Sequence, residues 1–321
     1  PEWLAGQRTE EGVFPDWEYI HNLAGTLASG SDLVILKRRQ ILASWMLAAY
    51  AHYTAAYHSY AHVAIVSAGQ READELARKI GYLAAQDGTP DEVKSGLRLR
   101  RYPSGSQIVV LPSTPHAGIG YTVRLAIMDE FASHPYGRDD LRAIGPSVAG
   151  GGGQLIVCST SHPGLGEAGA FYEAWEGAEC ATSASGKALP SGEPAGSPQR
   201  LFLGRHIRPD QGREFLAGEL RRYGEDAFHA YYPETPDEAF TARSGLVYGA
   251  DFSKHANVAA PPATWALCKW RVVGIDPGGG DPSAAVAVGI TTDERYHTYG
   301  CRQWVGATGA MAIHDYLARL N

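Results

Sequence analysis

The sequence predicts an α/β fold with a mainly parallel sheet, because short apolar runs alternate with helical patterns along its first half. Two segments, at about residues 44–57 and 70–83, have helical patterns. Ligands bind such sheets at the carboxyl ends of the strands, so functional residues are expected there. The apolar runs that read as buried strands lie at residues 33–36, 63–66, 107–111, 125–128 and 155–158.

Composition limits the class of protein. The chain has 321 residues, about the length of two domains, and is 44% apolar and 20% charged, which excludes a disordered chain and a small disulfide scaffold. The net charge of −7 excludes a uniformly basic nucleic-acid coat but leaves room for a local basic track. Four isolated cysteines argue against structural zinc and fit a reducing compartment. Residues 40–70 carry no Asp, Glu, Lys or Arg, but histidines and hydroxyl side chains interrupt them, so a buried helix and strand are predicted there and not a membrane span.

A proline pair divides the chain. Pro261-Pro262 marks a linker, and a new apolar strand starts soon after it. We therefore predict a first domain at residues 1–260, whose last part (about 201–260) forms a linker subdomain, and a second domain at 265–321. Residues 176–200 are rich in Gly, Ala, Ser and Pro and are predicted to form an exposed loop.

The end of the first strand carries a basic segment before a helix. A strand, a tight turn and a helix N-terminus form an anion site, since backbone N–H groups and the helix dipole point at it. Of the ordinary phosphate-loop pattern only Ser44 matches, with Lys37 at the place of the first glycine. Alone, this segment could equally be a basic strand end without function.

Two other strand ends carry polar residues. The fourth strand ends in Asp129-Glu130, and in a phosphate-loop ATPase the first acid at this place holds Mg²⁺ with the loop Ser or Thr. The second acid can orient and deprotonate the attacking water. The alternative is a solvated pair of acids. The fifth strand ends in Ser159-Thr160, whose hydroxyls could sense the loss of a γ-phosphate or simply begin a loop.

Together these segments resemble the large terminase subunit of tailed bacteriophages, an ATPase and nuclease that packages DNA. The family's phosphate loop has the form K-x-R-Q-x-G-x-S-W. Leu42 replaces the glycine, and because leucine does not readily adopt positive φ, an altered loop or weaker nucleotide binding is expected. The residues that match the family's loop are Lys37, Arg39, Gln40, Ser44 and Trp45.

The resemblance assigns further roles. Residues 128–132 correspond to the Walker B motif, with Asp129 on the metal and Glu130 catalytic, and Thr160 belongs to the coupling motif. Trp17 is placed like the residue that packs on adenine. Residues 232–240 are close to a family signature that precedes the nuclease.

The second domain opens on Asp276, which ends a strand before a glycine-rich turn. The resemblance makes Asp276 the first metal ligand of an RNase H-like nuclease, in which carboxylates hold two metal ions. Three strands ending near Trp304 and a helix at about 308–320 are expected. The remaining ligands are expected after that helix, so residues 1–321 are predicted not to cut DNA.

The implied protein is a viral DNA-packaging motor subunit that hydrolyses ATP with Mg²⁺ and cleaves concatemeric DNA with Mg²⁺ or Mn²⁺. Its expected partners are double-stranded DNA, the portal protein and the small terminase subunit. Further copies are expected to form a ring, a pentamer, on the procapsid in the cytoplasm of the infected bacterium. The alternatives are a helicase-like DNA-dependent ATPase and a non-hydrolysing scaffold that binds DNA or portal protein.

The sequence leaves open the roles of several basic residues and histidines. Solvated faces are the usual explanation for the clusters 37–39, 98–101 and 221–222. Loop or packing roles are expected for His116, His134 and His162. A ring ATPase also needs an arginine that reaches the neighbouring site, for which the candidates are Arg101, Arg124 and Arg138.

Overall fold

A computed structural model describes residues 2–4, 7–10, 12–88, 96–115, 120, 122–161, 168–178, 198–241, 268–276, 283–290 and 296–304. The chain separates into two compact units, Pro1–Ala250 and Asp251–Asn321. The Pro261-Pro262 pair lies outside the described residues, in the range of the second unit.

The first unit is built from helices and strands that alternate along the chain. Its helices are α1 (Glu18–Leu27), α2 (Ala43–Tyr57), α3 (Gln70–Asp87), α4 (Gly137–Ala149), α5 (Ala168–Gly177), α6 (Arg213–Tyr223), α7 (Glu225–Tyr231) and α8 (Pro236–Thr241). Short 3-10 turns lie at Glu2–Leu4 and Phe131–Ser133. Its strands are β1 (Arg8–Thr9), β2 (Gly12–Val13), β3 (Leu33–Lys37), β4 (His62–Ser67), β5 (Leu99–Arg101), β6 (Gln107–Pro112), β7 (Leu125–Asp129), β8 (Gln154–Ser159) and β9 (Gln199–Leu203).

Seven of these strands form one sheet in the order β5-β6-β4-β7-β8-β3-β9. All its neighbours pair in parallel except β5, which pairs antiparallel with β6 at one edge. This confirms the predicted parallel sheet and its five strands. β9 was not predicted as a strand, because Gln199 and Arg200 begin it and only its last three residues are apolar.

Helices cover both faces of the sheet. In β3, Leu33 and Ile35 pack in a core with residues of α1, α2 and α3, whereas Val34 and Leu36 pack in a second core with residues of α4 and α5. All five residues of β3 are buried, as a strand covered on both faces requires. The result is a three-layer arrangement that leaves the carboxyl ends of the strands as the place for a site.

The uncharged stretch at residues 40–70 is accounted for by burial. α2 buries residues on nearly all sides, and its His52 is fully buried between Tyr102 and Asp87. β4 follows it into the centre of the sheet. None of the helices in the described ranges has both the length and the apolar character needed to cross a bilayer.

The second unit contains the antiparallel strands β10 (Trp270–Asp276), β11 (Ser283–Ile290) and β12 (Tyr296–Trp304) in that order. This agrees with the three predicted strands. Asp276 ends β10, opposite Ala284 of β11. The predicted helix at 308–320 lies outside the described residues.

Candidate active site

The strand order brings the predicted site residues together. β8 lies between β3 and β7, so the carboxyl ends of these three parallel strands are neighbours. Lys37 ends β3, Asp129 ends β7 and Ser159 ends β8. Glu130 and Thr160 follow directly. Three segments that are far apart in the sequence thereby contribute to one edge of the sheet.

Lys37 and Glu130 form an ion pair at this edge. The Lys37 Nζ lies 2.6 Å from the Glu130 Oε1, with the two side chains 6% and 34% exposed. Burial by itself lowers the pKa of Lys37, but the carboxylates of Glu130 and Asp129 raise that pKa above its ordinary value. Burial raises the pKa of Glu130, but Lys37 and a backbone hydrogen bond from Thr160 outweigh it and lower the pKa. Both groups are therefore charged at neutral pH.

Asp129 is a buried carboxylate with a free acceptor. It is 4% exposed, and its Oδ1 has no hydrogen-bond partner among the described residues. Burial and the charge of Glu130 raise the pKa of Asp129, while a hydrogen bond from the Ser44 hydroxyl and the charge of Lys37 act in the opposite direction. A bound cation would satisfy the unpartnered oxygen.

The donor set fits Mg²⁺. Within the described ranges no group of three or more His, Cys, Asp or Glu residues could hold a metal ion. Mg²⁺ at a nucleotide site needs only one or two protein oxygen ligands, because phosphates and water complete its shell. The contact between Ser44 and Asp129 supplies such a pair.

The loop between Lys37 and α2 adopts an unusual backbone. Gln40 has φ 60° and Leu42 has φ 61°, both in the left-handed region. The expected change in loop shape at Leu42 is not found, because Leu42 adopts the positive φ that a glycine would take there. The cost is about 1–3 kcal/mol of strain for each such residue, which the surrounding contacts must offset.

The basic cluster 37–39 is not a solvated face. Arg38 is completely buried, and its guanidinium lies 4.6 Å from the centre of the Tyr232 ring. The guanidinium also donates a 2.8 Å hydrogen bond to the Arg205 carbonyl. Burial lowers the pKa of Arg38 to about 10. Arg39 is half-buried, with its guanidinium 3.5 Å from the centre of the Tyr231 ring. Both side chains tie the loop to the region between β9 and α8.

The proposed adenine contact, Trp17, lies beside this loop. The Tyr19 ring stacks on it at 5.8 Å, and the Arg208 guanidinium lies 5.1 Å from its ring centre. Arg208 also donates to the Gln40 carbonyl, so one side chain contacts both the tryptophan and the loop between Lys37 and α2. Gln40 itself is exposed.

The segment after β8 contacts both the acids and the C-terminal helices. The Ser159 hydroxyl accepts a 3.0 Å hydrogen bond from the Ala132 N–H, which fixes the turn after Glu130. Thr160 is buried beside Glu130. The Ser161 hydroxyl donates to the carbonyl of Ala239 in α8. Thr160 thus contacts Glu130 through its backbone, and the next residue in the sequence contacts α8.

His134 holds the end of β7 in place. It is fully buried, with Nδ1 2.8 Å from the Asp140 Oδ2 and Nε2 3.0 Å from the Asp129 carbonyl oxygen. This agrees with the predicted packing role, although its contact with Asp129 was not predicted. His116 and His162 lie outside the described residues.

We expect Asp140→Asn to destabilise the protein by about 1–3 kcal/mol, because it disturbs a fully buried 2.8 Å hydrogen bond between the Asp140 carboxylate and the His134 ring. Urea denaturation measures the change. The control is Asp139→Asn, whose exposed pair with Arg142 at 3.5 Å should contribute less than about 0.5 kcal/mol. Equal effects of the two changes would refute the buried pair.

The candidate inter-subunit arginines lie in two places. Arg101 pairs in register with Gln107, the first residue of β6, and Arg124 directly precedes β7, so both lie at the amino edge of the sheet, away from the acids. Arg138 begins α4 after the acids and forms an exposed ion pair with Glu173 at 2.7 Å.

Several contributing residues were not predicted from the sequence. Arg38 was grouped with exposed basic residues, while Tyr19, Arg208 and Ser161 were not singled out. Arg38 contacts Tyr232, the first residue of the 232–240 segment, and this contact is formed only by the tertiary fold. Asp276 lies in the second unit, and its strand position is as predicted.

Comparison with known proteins finds solved structures that have a similar fold. No protein-family model matches the chain, and no curated protein does. Among solved structures it is similar to the large terminase ATPase domain of Thermus phage P74-26, with a TM-score of 0.52 and 16% identity over 70% of this chain and 97% of that one. A point mutant of the same domain gives 0.51 and 19% over 70% and 98%. The large terminase of bacteriophage HK97 gives 0.48 and 14% over 98% of this chain and 69% of that one.

Proposed function

We propose that this protein, whose first unit has the fold of a phage large terminase ATPase domain, is the ATP-hydrolysing subunit of a viral DNA-packaging motor. One observation carries the proposal: four side chains lie together at the carboxyl edge of that sheet, those of Lys37, Ser44, Asp129 and Glu130. A cation, a hydroxyl and two acids at adjacent strand ends are what phosphoryl transfer to water requires.

In this proposal the loop binds the nucleotide. Lys37 and the backbone N–H groups at the start of α2 hold the phosphates, with Arg39 and Gln40 beside them. Trp17 packs on adenine. Ser44 and Asp129 hold Mg²⁺, which when bound neutralises negative charge on the phosphates.

Glu130 acts as the general base. Its carboxylate, charged at neutral pH, takes a proton from the attacking water. In the nucleotide-free protein the carboxylate is held by Lys37 at 2.6 Å. When the Lys37 ammonium turns to phosphate oxygens, Glu130 is released for the water, so nucleotide binding itself completes the catalytic arrangement. Thr160 then transmits the change toward α7 and α8 through Ser161.

The remaining parts of the motor belong to the same proposal. Double-stranded DNA is translocated into a procapsid by a ring of copies docked on the portal protein, with the small terminase subunit as a partner. Asp276, at the end of β10, is the first metal ligand of a nuclease that uses Mg²⁺ or Mn²⁺ to cut concatemeric DNA.

We expect the 321-residue chain to release phosphate from ATP only with Mg²⁺, and faster when double-stranded DNA is present. A phosphate-release assay measures this, and a forked duplex added in parallel should keep its strands paired. Hydrolysis no higher than in protein-free buffer would favour the scaffold alternative. Strand separation of the fork would favour the helicase alternative.

A further inference from the structure

Three consecutive carbonyl oxygens of the phosphate loop are each held by a side chain. The Arg38 Nε donates to the Arg39 carbonyl at 3.1 Å, Arg208 donates to the Gln40 carbonyl, and the Tyr19 hydroxyl donates to the Ile41 carbonyl at 3.1 Å. The next carbonyl, of Leu42, accepts the Met46 N–H as the first bond of α2. Every carbonyl from Arg39 to Leu42 therefore has a donor.

Arg38 belongs to the loop itself, and the other two donors come from separate parts of the fold. Tyr19 lies on α1 and is 3% exposed, and Arg208 follows β9 and is held by Asp210 at 2.7 Å. Tyr19 and Arg208 both contact the Trp17 ring. The carbonyls are thus held by side chains that have their own fixed surroundings.

Holding the carbonyls also directs the N–H groups. A trans peptide is planar, so its N–H points opposite to its C=O. The N–H groups of Gln40, Ile41 and Leu42 consequently point away from the three donors. Gln40 and Leu42 have positive φ and Ile41 between them does not, and such alternation turns successive N–H groups into a concave anion site.

Strained residues persist only where their surroundings hold them. A glycine at position 42 would adopt the bend without strain, whereas Leu42 needs help. We propose that Tyr19 and Arg208 are positioning residues that hold the phosphate loop in its anion-binding shape, doing for Leu42 what the conformational freedom of glycine would otherwise do. This inference rests on the proposed nucleotide site and names residues that neither the loop motif nor the acids indicate.

The test measures binding of inorganic tripolyphosphate and of ATP by calorimetry. Tyr19→Phe keeps the ring and removes the hydroxyl, and it should weaken both affinities by about 3- to 10-fold, as the loss of one hydrogen bond implies. Arg208→Ala should act in the same direction. The matched control is Tyr82→Phe, which loses a 3.2 Å hydrogen bond to the Thr9 carbonyl and should leave the affinities unchanged.

Leu42→Gly separates positioning from general stability. In a Leu42→Gly background, Tyr19→Phe should weaken binding by less than about twofold, because glycine holds the bend unaided. An equal loss in both backgrounds, or an equal loss in Tyr82→Phe, would overturn the inference. Another outcome is that the unmodified chain binds ATP and tripolyphosphate with the same affinity as the Tyr19→Phe and Arg208→Ala variants. In that case the inference fails while the proposed function stands. If the unmodified chain binds neither, the proposed function itself fails.

Discussion

Replacing Glu130 with glutamine is expected to reduce ATP hydrolysis by about 10²- to 10³-fold while ATP still binds. Glutamine has the shape of glutamate but cannot take a proton from water, and a positioned general base contributes rate factors of this size. Binding should persist, because Lys37 and the loop remain in place. The affinity should even rise, since Lys37 loses the carboxylate that competes with phosphate for its ammonium.

Single-turnover hydrolysis and calorimetric ATP binding measure the two effects separately. The control is Glu173→Gln, which removes an exposed carboxylate paired with Arg138 and should change neither. Unimpaired turnover in Glu130→Gln would show that another residue activates the water. Loss of ATP binding together with turnover would instead show a structural role for Glu130.

Asp129→Asn is expected to change activity and stability in opposite directions. Hydrolysis should fall by at least about 100-fold, because Asn lacks the charge that holds Mg²⁺ with Ser44. The nucleotide-free protein should become more stable by about 1–2 kcal/mol, because the buried Asp129 carboxylate has an unpartnered oxygen and is repelled by Glu130. Sites built for a ligand commonly have this conflict between function and stability.

The pH dependence gives the second measurement for Asp129. Burial and Glu130 raise its pKa above the unfolded value, so its charged form destabilises the fold at a pH above the folded-state pKa and has no such effect below the unfolded pKa. The stability gain of Asp129→Asn, measured by urea denaturation, should therefore be small in acid and grow toward neutral pH. A loss of stability at neutral pH, like that expected of Asp140→Asn, would show that Asp129 already has its full set of partners.

Residues that end buried strands could be predicted from the sequence. Lys37, Asp129 and Glu130 stand directly after apolar runs, and the parallel sheet brings the ends of such runs together. β9 could not be recognised, because its first two residues are polar and its burial comes from pairing with β3.

The contacts that shape the phosphate loop could not be predicted at all. Arg208 and Tyr19 reach it through the fold, and nothing in their local sequence marks them. The conformation of Leu42 was also unpredictable, since its intrinsic preference is against positive φ and only tertiary contacts reverse it. Local patterns locate chemistry along a strand, but they do not show which distant side chains fix the backbone around it.

The origin of those distant contacts has a consequence for how the protein is made. Arg38 binds partners that follow it by 167 and 173 positions, and the Arg39 N–H bonds to the Tyr231 carbonyl. On the ribosome, the loop and both acids emerge long before these partners do, and a segment cannot be shaped by residues not yet translated. A nascent chain that has reached only Thr160 already contains Lys37, Ser44, Asp129 and Glu130, together with Tyr19, but it still lacks Arg208 and the partners of Arg38 and Arg39. If the loop binds nucleotide as proposed, we therefore expect binding only late in synthesis, after the chain beyond α7 has emerged and packed against the N-terminal part.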